Sequence, residues 1–569
     1  MKKCSFLLLL SFNVLLTSAQ TSTPVVSELY DFMIQLKADF GSLSRFYTVV
    51  YAPQRSQRFI DFFEQKQQLL QGFDFDALSV NGQVDYTMTR QYINDKHYQY
   101  EAQLQQYNSL VEWVDAADVI YELEAKRRRG HLMQGQLIAE KLTVVAHNIQ
   151  EVSTRLIQED VRFVRDEAIR AKRILLGQQK ALRSVYSFYE NYDPNFTWWV
   201  EKPYLLVDDL LGQYASLIRN QVDSASMHAD DGSGIIGRPI GKKELLRQLK
   251  KEMIPYGPDE LVAIANKEFA WCDSLLLIAS AKMGFGTDWR AAQEQVKQSF
   301  VPPGQQPQMM LQLYKTSVEF LKDKELISIP PLAEETWRMS MISPERQLIS
   351  PFFLGGELLQ ISYPTKDMNH EDKMMSMRGN NPHFAKAVIH HELIAGHHLQ
   401  FYMNERNKSY RNFYTPFWTE GWALYWEMLL WDKGFAEGPE DEIGMLFWRM
   451  HRCARIIFSL NYHLGKWTPQ QCIDFLVDRV GHERANAEGE VRRSFTGGYG
   501  PLYQIAYMVG GLQFRALHQQ LVVEGKWTDM DFHDAVLKEN AMPVEMLRAI
   551  LTQQKLEEKF ETKWRFYKY

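Results

Sequence analysis

The sequence predicts a mainly α-helical protein: a large helical body with a central cleft and one small β-sheet. Three observations support this fold class. Apolar residues recur at helical spacing near the amino end, and residues 136–192 contain one glycine and no proline. Asn-Pro and Thr-Pro pairs further along the chain are typical helix starts. The first pattern consists of Leu29, Phe32, Met33, Leu36 and Phe40.

The amino-terminal half reads as long amphipathic helices. The basic run Lys126-Arg127-Arg128-Arg129 could bind an anionic ligand, but a solvated helix face is the simpler interpretation. Residues 230–241 form a loop by composition, and they lack the Gly-Lys-Ser/Thr of a phosphate-binding loop. New helices are predicted from Lys242 and from Gly257-Pro258.

The pattern changes between residues 339 and 364, where Gly355 to Pro364 indicates one or two strands. An exposed strand edge there could hold an extended peptide by strand addition. Helices then return: Asn381-Pro382 predicts a helix that continues to about Asn404. A second start at Thr415-Pro416 predicts a helix from Phe417 to Lys433, ended by Gly434.

The amino terminus has the pattern of a secretory signal peptide, residues 1–19. Two lysines precede a short apolar run, and small residues Thr17 and Ala19 precede Gln20. The run is too short and too interrupted for a membrane anchor, and Cys4 precedes it instead of ending it as in a lipoprotein. We therefore expect an exported protein, periplasmic or extracellular, with no stable membrane span.

Composition excludes some classes of partner. The net charge of −6 and the pI near 6.2 do not fit a nucleic-acid-binding protein.

Cys272, Cys453 and Cys472 do not make a disulfide framework. Cys453 and Cys472 could pair in an oxidising compartment, but buried thiols are the favoured expectation.

A cluster of four histidines and a glutamate is the strongest functional signal. His390, His391, Glu392, His397 and His398 fall within nine residues between apolar neighbours. Imidazoles beside a carboxylate indicate a transition-metal site with a potential base. The usual zinc-peptidase helix has histidines at i and i+4, so that both face one metal.

Here the residue four positions after His391 is Ala395, which cannot bind a metal. In a regular helix, His397 would point about 120° away from His391 and lie ~9 Å along the axis. His398 would return to the same face, but ~10.5 Å away. A shared metal therefore requires a distorted or broken helix, and Gly396 is placed where a break would help.

A further ligand must come from another segment. Glu420 lies 28 residues after Glu392 and near the start of the next predicted helix, so an antiparallel helix pair would bring it back to the histidines. Without the histidine cluster, Glu420 would be an ordinary first-turn acid. Glu427, seven residues further on, lies on nearly the same helix face and could orient a ligand.

These motifs carry a resemblance to a known family. His391-Glu392, Gly396-His397-His398-Leu399-Gln400 and Glu420-Gly421-Trp422-Ala423-Leu424-Tyr425 resemble the family called domain of unknown function 885. That family is placed among gluzincin-type zinc metallopeptidases, distantly related to thermolysin and angiotensin-converting enzyme. Weaker matches are Ile240-Gly241-Lys242, Glu490-Val491, Arg493, Pro501 and Tyr507-x-x-Gly510.

The resemblance implies roles for individual residues. His391, His397 and Glu420 would hold Zn2+, with His398 as the rival to His397. Glu392 would be the general base, while Tyr507 and Arg493 are candidates to stabilise the oxyanion. Tyr499 and Tyr503 are further possible donors, and for each of these four side chains packing is the more common explanation. His370, His383 and His390 are expected to be structural.

The sequence also departs from the family pattern. Ala395 stands where the family typically has proline, which removes one reason for the helix to kink. Gln504 lies one place later than the family glutamine, and the segment before Pro501 is longer, so substrate contacts there are unassigned. We predict an amino-terminal helical lobe at 20–338 and a metallopeptidase-like lobe at 339–569, the two forming one family domain.

Three functions are compatible with these residues. The first is a secreted zinc peptidase that cleaves peptides or small amides in a cleft. The second is a binding or scaffold protein whose site no longer turns over. The third is a zinc amide or ester hydrolase acting on non-peptide substrates. Glu392 favours the first, because a purely structural site does not need a base. The pattern does not indicate cleavage direction, side-chain preference or oligomeric state.

Overall fold

The computed structural model describes residues 27–223, 230–347, 352–411 and 413–568. The predicted signal peptide at 1–19 lies outside these residues. Within them the protein is mainly helical with a two-stranded sheet, as the sequence predicts. No helix of the described part is both long and apolar enough to cross a bilayer.

The first half is built from helices that the amphipathic pattern predicted. They are α1 (Tyr30–Phe46), α2 (Pro53–Leu70), α3 (Val80–Asn108), α4 (Val111–Val114), α5 (Val119–Arg128), α6 (Gly135–Gln158), α7 (Arg165–Tyr189), α8 (Pro194–Asn220), α9 (Gly241–Lys251), α10 (Pro258–Lys282), α11 (Trp289–Lys297), α12 (Gln306–Asp323) and α13 (Pro331–Thr336).

The second half contains the sheet and the helices that carry the histidine cluster. They are β1 (Arg338–Met341), α14 (Pro344–Gln347), β2 (Leu358–Ile361), α15 (His370–Gly379), α16 (Pro382–Glu392), α17 (His397–Asn404), α18 (Pro416–Asp432), α19 (Pro439–His463), α20 (Pro469–Val480), α21 (Arg484–Thr496), α22 (Tyr503–His518), α23 (Asp529–Glu539) and α24 (Val544–Leu551).

The predicted strand region yields β2, which pairs in parallel with β1, Arg338 opposite Leu358 and Met341 opposite Ile361. Leu354 also bridges to Gln360 through two backbone hydrogen bonds of 3.1 and 2.7 Å. Part of one β2 edge is therefore already paired with the chain's own backbone, which limits the room for strand addition there.

Buried side chains form two separate cores. One lies within residues 107–218, from the end of α3 to α8. The other joins residues 29–100 to residues 235–566 and includes the histidine segment. Helices on both sides of the predicted boundary at residue 338 share this larger core, while the division into two lobes at that residue stays a prediction.

Local signals set the helices that carry the candidate site. Asn381 caps α16 by accepting from the backbone amides of His383 and Phe384, and Pro382 is its first residue. Thr415 caps α18 in the same way, by accepting from the backbone amide of Phe417.

Cys272, Cys453 and Cys472 are all buried and form no disulfide, so the expected thiol state is confirmed.

Candidate functional site

The histidine segment folds as two helices rather than one. α16 ends at Glu392 and α17 begins at His397, so the required break is present. A Cβ on Gly396 would lie 1.8 Å from the carbonyl oxygen of His391, and only glycine fits this close approach. Trp422 of α18 holds the turn from outside, because its indole Nε1 donates to the Ala395 carbonyl at 2.9 Å.

The break brings three predicted ligand residues together. The Oε2 atom of Glu420 lies 3.5 Å from Nε2 of His391 and 3.2 Å from Nε2 of His397. The two imidazole rings are 4.9 Å apart and nearly perpendicular. All three side chains are buried, with exposures of 2%, 7% and 4% for His391, His397 and Glu420.

These spacings match the edges of a small coordination polyhedron. Ligand atoms ~2.0–2.1 Å from a tetrahedral zinc lie ~3.3–3.4 Å from one another. The two Glu420 distances, 3.5 and 3.2 Å, bracket that value. One nitrogen each of His391 and His397 and one oxygen of Glu392 also lie within 4.8 Å of one another. The donor set of two imidazoles and a carboxylate therefore fits zinc.

Electrostatics at this point stabilise positive charge on the imidazoles. Burial disfavours the charged form of His391, yet the carboxylates of Glu420 and Glu427 raise its pKa to about 9. Burial also opposes ionisation of Glu420, but the neighbouring His397 and His391 hold its pKa well below the usual range. The pocket thus stabilises positive charge between the imidazoles and the carboxylates.

Glu427 lies where a residue that orients His391 would lie. Its Oε1 is 2.7 Å from Nδ1 of His391, which leaves Nε2 facing Glu420. Arg452 of α19 donates to the same oxygen at 3.1 Å. Burial raises the pKa of Glu427, but Arg452 and His391 outweigh it and bring the pKa to about 2. Its role toward a metal stays a prediction.

Glu392 occupies the edge of the cluster and keeps some exposure. Burial raises the pKa of its carboxyl, with the charges of His391 and His397 opposing the rise. A Cβ on Gly355, just before β2, would lie 2.4 Å from Oε2 of Glu392. Glycine at 355 therefore makes room for this carboxylate beside the sheet.

The other histidines of the segment point elsewhere. Both ring nitrogens of His398 face backbone carbonyls, at 2.8 Å from Ala333 and 3.3 Å from Gly356. The geometry therefore brings His397, rather than its rival His398, to Glu420. His390 is fully buried against Phe435, and burial lowers its pKa to about 3.

Two tyrosines of α22 reach the site in different ways. The hydroxyl of Tyr503 donates to Oε1 of Glu420. The ring of Tyr507 stacks on His391 at 6.0 Å, and its hydroxyl makes no hydrogen bond within the described residues. Burial raises the pKa of Tyr507, so its hydroxyl stays protonated. The Tyr507 hydroxyl is thus the more available donor of the two.

Arg493 lies two aromatic rings away from Glu420, one of the predicted ligands. Its guanidinium is 4.9 Å from the ring centre of Tyr499, which in turn lies 4.3 Å from the ring of Tyr503. It also forms a 3.6 Å ion pair with Glu490. Arg493 is therefore near the site but not placed against the three predicted ligands.

Some functional contacts were not predicted. Arg452 was not identified because no sequence signal links it to Glu427. Tyr503 was predicted only as a donor to substrate, whereas it contacts Glu420. Trp422 was noted only as part of a motif, although a buried indole usually finds an acceptor, which could have indicated its contact.

A second cluster, His518, Asp529 and His533, also has metal-ligating atoms within 4.8 Å of one another. Its groups already satisfy each other: Asp529 accepts from His518 at 2.7 Å and from Lys433 at 2.6 Å. His533 pairs with Tyr425 at 2.8 Å and with the Leu326 carbonyl at 2.6 Å. The lysine supplies the positive charge, so this cluster is a hydrogen-bonded core.

The fold and the site define a helical protein with a candidate metal centre made by a broken helix and its neighbour. The sequence matches the family described as "Bacterial protein of unknown function (DUF885)" over residues 47–551, and the chain belongs to that family. The resemblance found in the motifs is thereby confirmed at the level of the family.

Two solved structures share the fold. One, from Shewanella oneidensis, is provisionally described as a lipoprotein of unknown function; it has a TM-score of 0.66 and 15% identity, and the match covers 93% of this chain and 100% of that one. Another, from Colwellia psychrerythraea and also provisionally described as a lipoprotein, has a TM-score of 0.58, 16% identity and coverages of 92% and 98%. No curated protein matches the sequence.

Proposed function

We propose that this protein is an exported zinc-dependent hydrolase, and specifically a metallopeptidase that cleaves peptide bonds. One observation carries the proposal: nitrogens of His391 and His397 converge on one Glu420 oxygen at 3.5 and 3.2 Å, with Glu392 at the edge. Such a donor set with an adjoining free carboxylate is typical of catalytic rather than structural zinc sites.

The residues around this point would have distinct roles. His391, His397 and Glu420 would hold the zinc, which when bound lowers the pKa of water and polarises a carbonyl. Glu427, together with Arg452, keeps Nδ1 of His391 engaged, so that Nε2 remains the ligand atom. Tyr503 restrains the other oxygen of Glu420.

Glu392 is the proposed general base. Burial raises the pKa of its carboxyl, which makes it a better proton acceptor than an exposed glutamate. It would take a proton from the attacking water and return one to the leaving amine. The Tyr507 hydroxyl, which no described residue engages, would donate to the carbonyl oxygen as negative charge develops there.

Export is part of the proposal. The signal-peptide pattern at residues 1–19 indicates secretion, and the two structural neighbours are provisionally described as lipoproteins. Since Cys4 precedes the apolar run here, we propose export to the periplasm or beyond without lipid attachment at that cysteine.

The test combines metal analysis with a single substitution. We expect about one zinc per chain by elemental analysis, and chelator-sensitive cleavage of a peptide mixture by mass spectrometry. Glu392→Gln should keep the zinc and lose at least about 100-fold in turnover, within the range for a lost general base. His391→Ala should lose both. Glu405→Gln, whose side chain is 69% exposed, is the matched control.

The outcomes separate the three functions. Full activity in Glu392→Gln contradicts the mechanism. Bound zinc without turnover of any substrate would favour a binding or scaffold protein. Hydrolysis of esters or modified amino acids but not peptides would favour the non-peptide hydrolase.

A further inference from the structure

Behind Tyr507, three buried arginines share two carboxylates. Arg452, Arg455 and Arg493 are only 5%, 2% and 3% exposed. Arg452 pairs with Glu427 at 3.1 Å, and Arg455 pairs with Glu490 at 2.7 Å. Arg493 approaches the same Glu490 only to 3.6 Å. A buried charge is costly unless it is paired, so this cluster lacks one negative partner.

Arg493 is the member without a proper partner. Its guanidinium makes no hydrogen bond with any residue of the described ranges, and its Nε is fully buried. The 3.6 Å contact with Glu490 is longer than a hydrogen bond, and the guanidinium also lies 4.9 Å from the centre of the Tyr499 ring. The Nε faces Glu490, which leaves the four N–H groups of the two Nη atoms, in a fixed planar geometry, for a planar anion.

Neighbouring groups do not supply the missing charge. Glu420 and Glu392 are committed to the metal site of the proposed function. His451 lies 3.8 Å from Glu490, and burial together with the charge of Arg455 holds its pKa well below the usual range. This histidine therefore stays neutral beside the arginines and supplies no charge to the cluster.

The cluster lies beside a row of tyrosines that ends at the candidate site. Residues 497–500 form a largely exposed loop that contains the half-buried Tyr499. The Tyr499 ring contacts the ring of Tyr503, and the Tyr503 hydroxyl donates to Glu420. Arg493 flanks this line of tyrosines. Arg455 lies 4.3 Å from the Tyr507 ring, which stacks on His391. A substrate group that entered along this line would meet a guanidinium close to the reacting carbonyl.

We propose that Arg493, supported by Arg455, binds a carboxylate of the substrate, and that this carboxylate is the free carboxyl terminus of a short peptide. This inference rests on the proposed function and deepens it, because it assigns cleavage near the carboxyl end. An acidic side chain offers the same chemistry, and the test distinguishes the two sources. Arg493 then acts in substrate recognition.

The first arm uses the wild-type, zinc-loaded protein and needs no variant. Two acetylated pentapeptides of one neutral sequence are compared, one with a free carboxyl terminus and one amidated. We expect kcat/KM to favour the free acid by about 10- to 100-fold, the usual effect of one charge-assisted contact, mainly through KM. Equal cleavage of both peptides overturns the inference while leaving the peptidase proposal intact.

A third peptide, amidated but with one internal glutamate, identifies the source of the carboxylate. Poor cleavage of this peptide supports recognition of the chain end. Cleavage as efficient as that of the free acid overturns the terminal assignment. If none of the three peptides is cleaved, the proposed function itself fails.

The second arm assigns the effect to Arg493. Arg493→Gln should reduce the preference for the free acid to within about twofold. Arg492→Gln, a substitution at the half-buried neighbour whose Nη1 is 3.5 Å from the Gly234 carbonyl, is the matched control. A preference retained in Arg493→Gln overturns the assignment.

Binding provides a readout that does not depend on turnover. Calorimetry with Glu392→Gln protein should show about 10- to 100-fold tighter binding of the free acid than of the amide, and Arg493→Gln in that background should abolish the difference. Equal affinities for the two peptides contradict the inference even if the protein is inactive.

Discussion

At the scale of single residues, the candidate site depends on how His391 is held. An imidazole can offer either ring nitrogen to a metal, and the partner of the other nitrogen decides which. Here Glu427 takes Nδ1 at 2.7 Å and Arg452 fixes Glu427 in turn. The Glu427 carboxylate thus sets the tautomer of His391 and makes its Nε2 a stronger metal ligand.

We predict that Glu427→Gln weakens zinc affinity by about 10- to 100-fold, as is usual for loss of a carboxylate behind a histidine ligand. Glutamine keeps the shape but removes the charge that balances Arg452. Competition with a chromophoric chelator measures the zinc affinity. Glu405→Gln, at an exposed residue directly after α17, serves as control. An unchanged affinity would show that Glu427 does not support a metal ligand.

Residue types were easier to predict than their partners. The histidines, Glu392, Glu420 and Glu427 stand out because of their spacing along 37 positions of sequence, from 391 to 427. Arg452 and Tyr503 come from α19 and α22, and their contacts depend on how those helices pack. Arginine and tyrosine at such positions are ordinary core or surface residues until the fold is known.

At the scale of elements, the break between α16 and α17 converts an unsuitable spacing into a shared site. The helix starts were predictable because Asn381-Pro382 and Thr415-Pro416 act locally. The need for a break followed from helix geometry. Its form did not, because the Trp422 indole and the close approach of Gly396 to His391 are tertiary contacts. The parallel pairing of β2 with β1 was likewise not predictable from either strand alone.

We predict that Gly396→Ala destabilises the protein by at least about 2 kcal/mol, because the new Cβ would lie 1.8 Å from the His391 carbonyl oxygen. Any relief of this contact moves His391 relative to His397, so zinc binding should weaken as well. Thermal unfolding and metal titration measure the two effects.

Gly177→Ala is the matched control for this substitution. Gly177 lies inside α7, and no neighbouring atom lies within 4 Å of the position that an alanine Cβ would take. Alanine there should therefore be neutral or stabilising by up to about 1 kcal/mol. A Gly396→Ala protein as stable as the control would show that the break tolerates a side chain.

At the scale of the whole molecule, the fold buries several histidines that have to remain neutral. Burial lowers the pKa of His482 and His533 to about 3 and that of His463, at the end of α19, to about 4. An unfolded histidine titrates near ~6.5. Below that pH the unfolded chain takes up protons that the folded protein refuses, so stability falls as the pH falls.

His463 allows this effect to be tested away from the metal site. Its folded pKa of about 4 is below the unfolded value, so its contribution to stability is complete above pH ~6.5 and is lost as the pH falls toward about 4. Within that window one such group contributes a slope of up to about 1.4 kcal/mol per pH unit. We predict that His463→Gln makes the unfolding free energy less dependent on pH by about this amount. Denaturant titrations at pH 7, 5.5 and 4.5 measure the slope, with His147→Gln on an exposed face of α6 as control. Equal slopes in the wild-type and His463→Gln proteins would mean that His463 is protonated in the folded state.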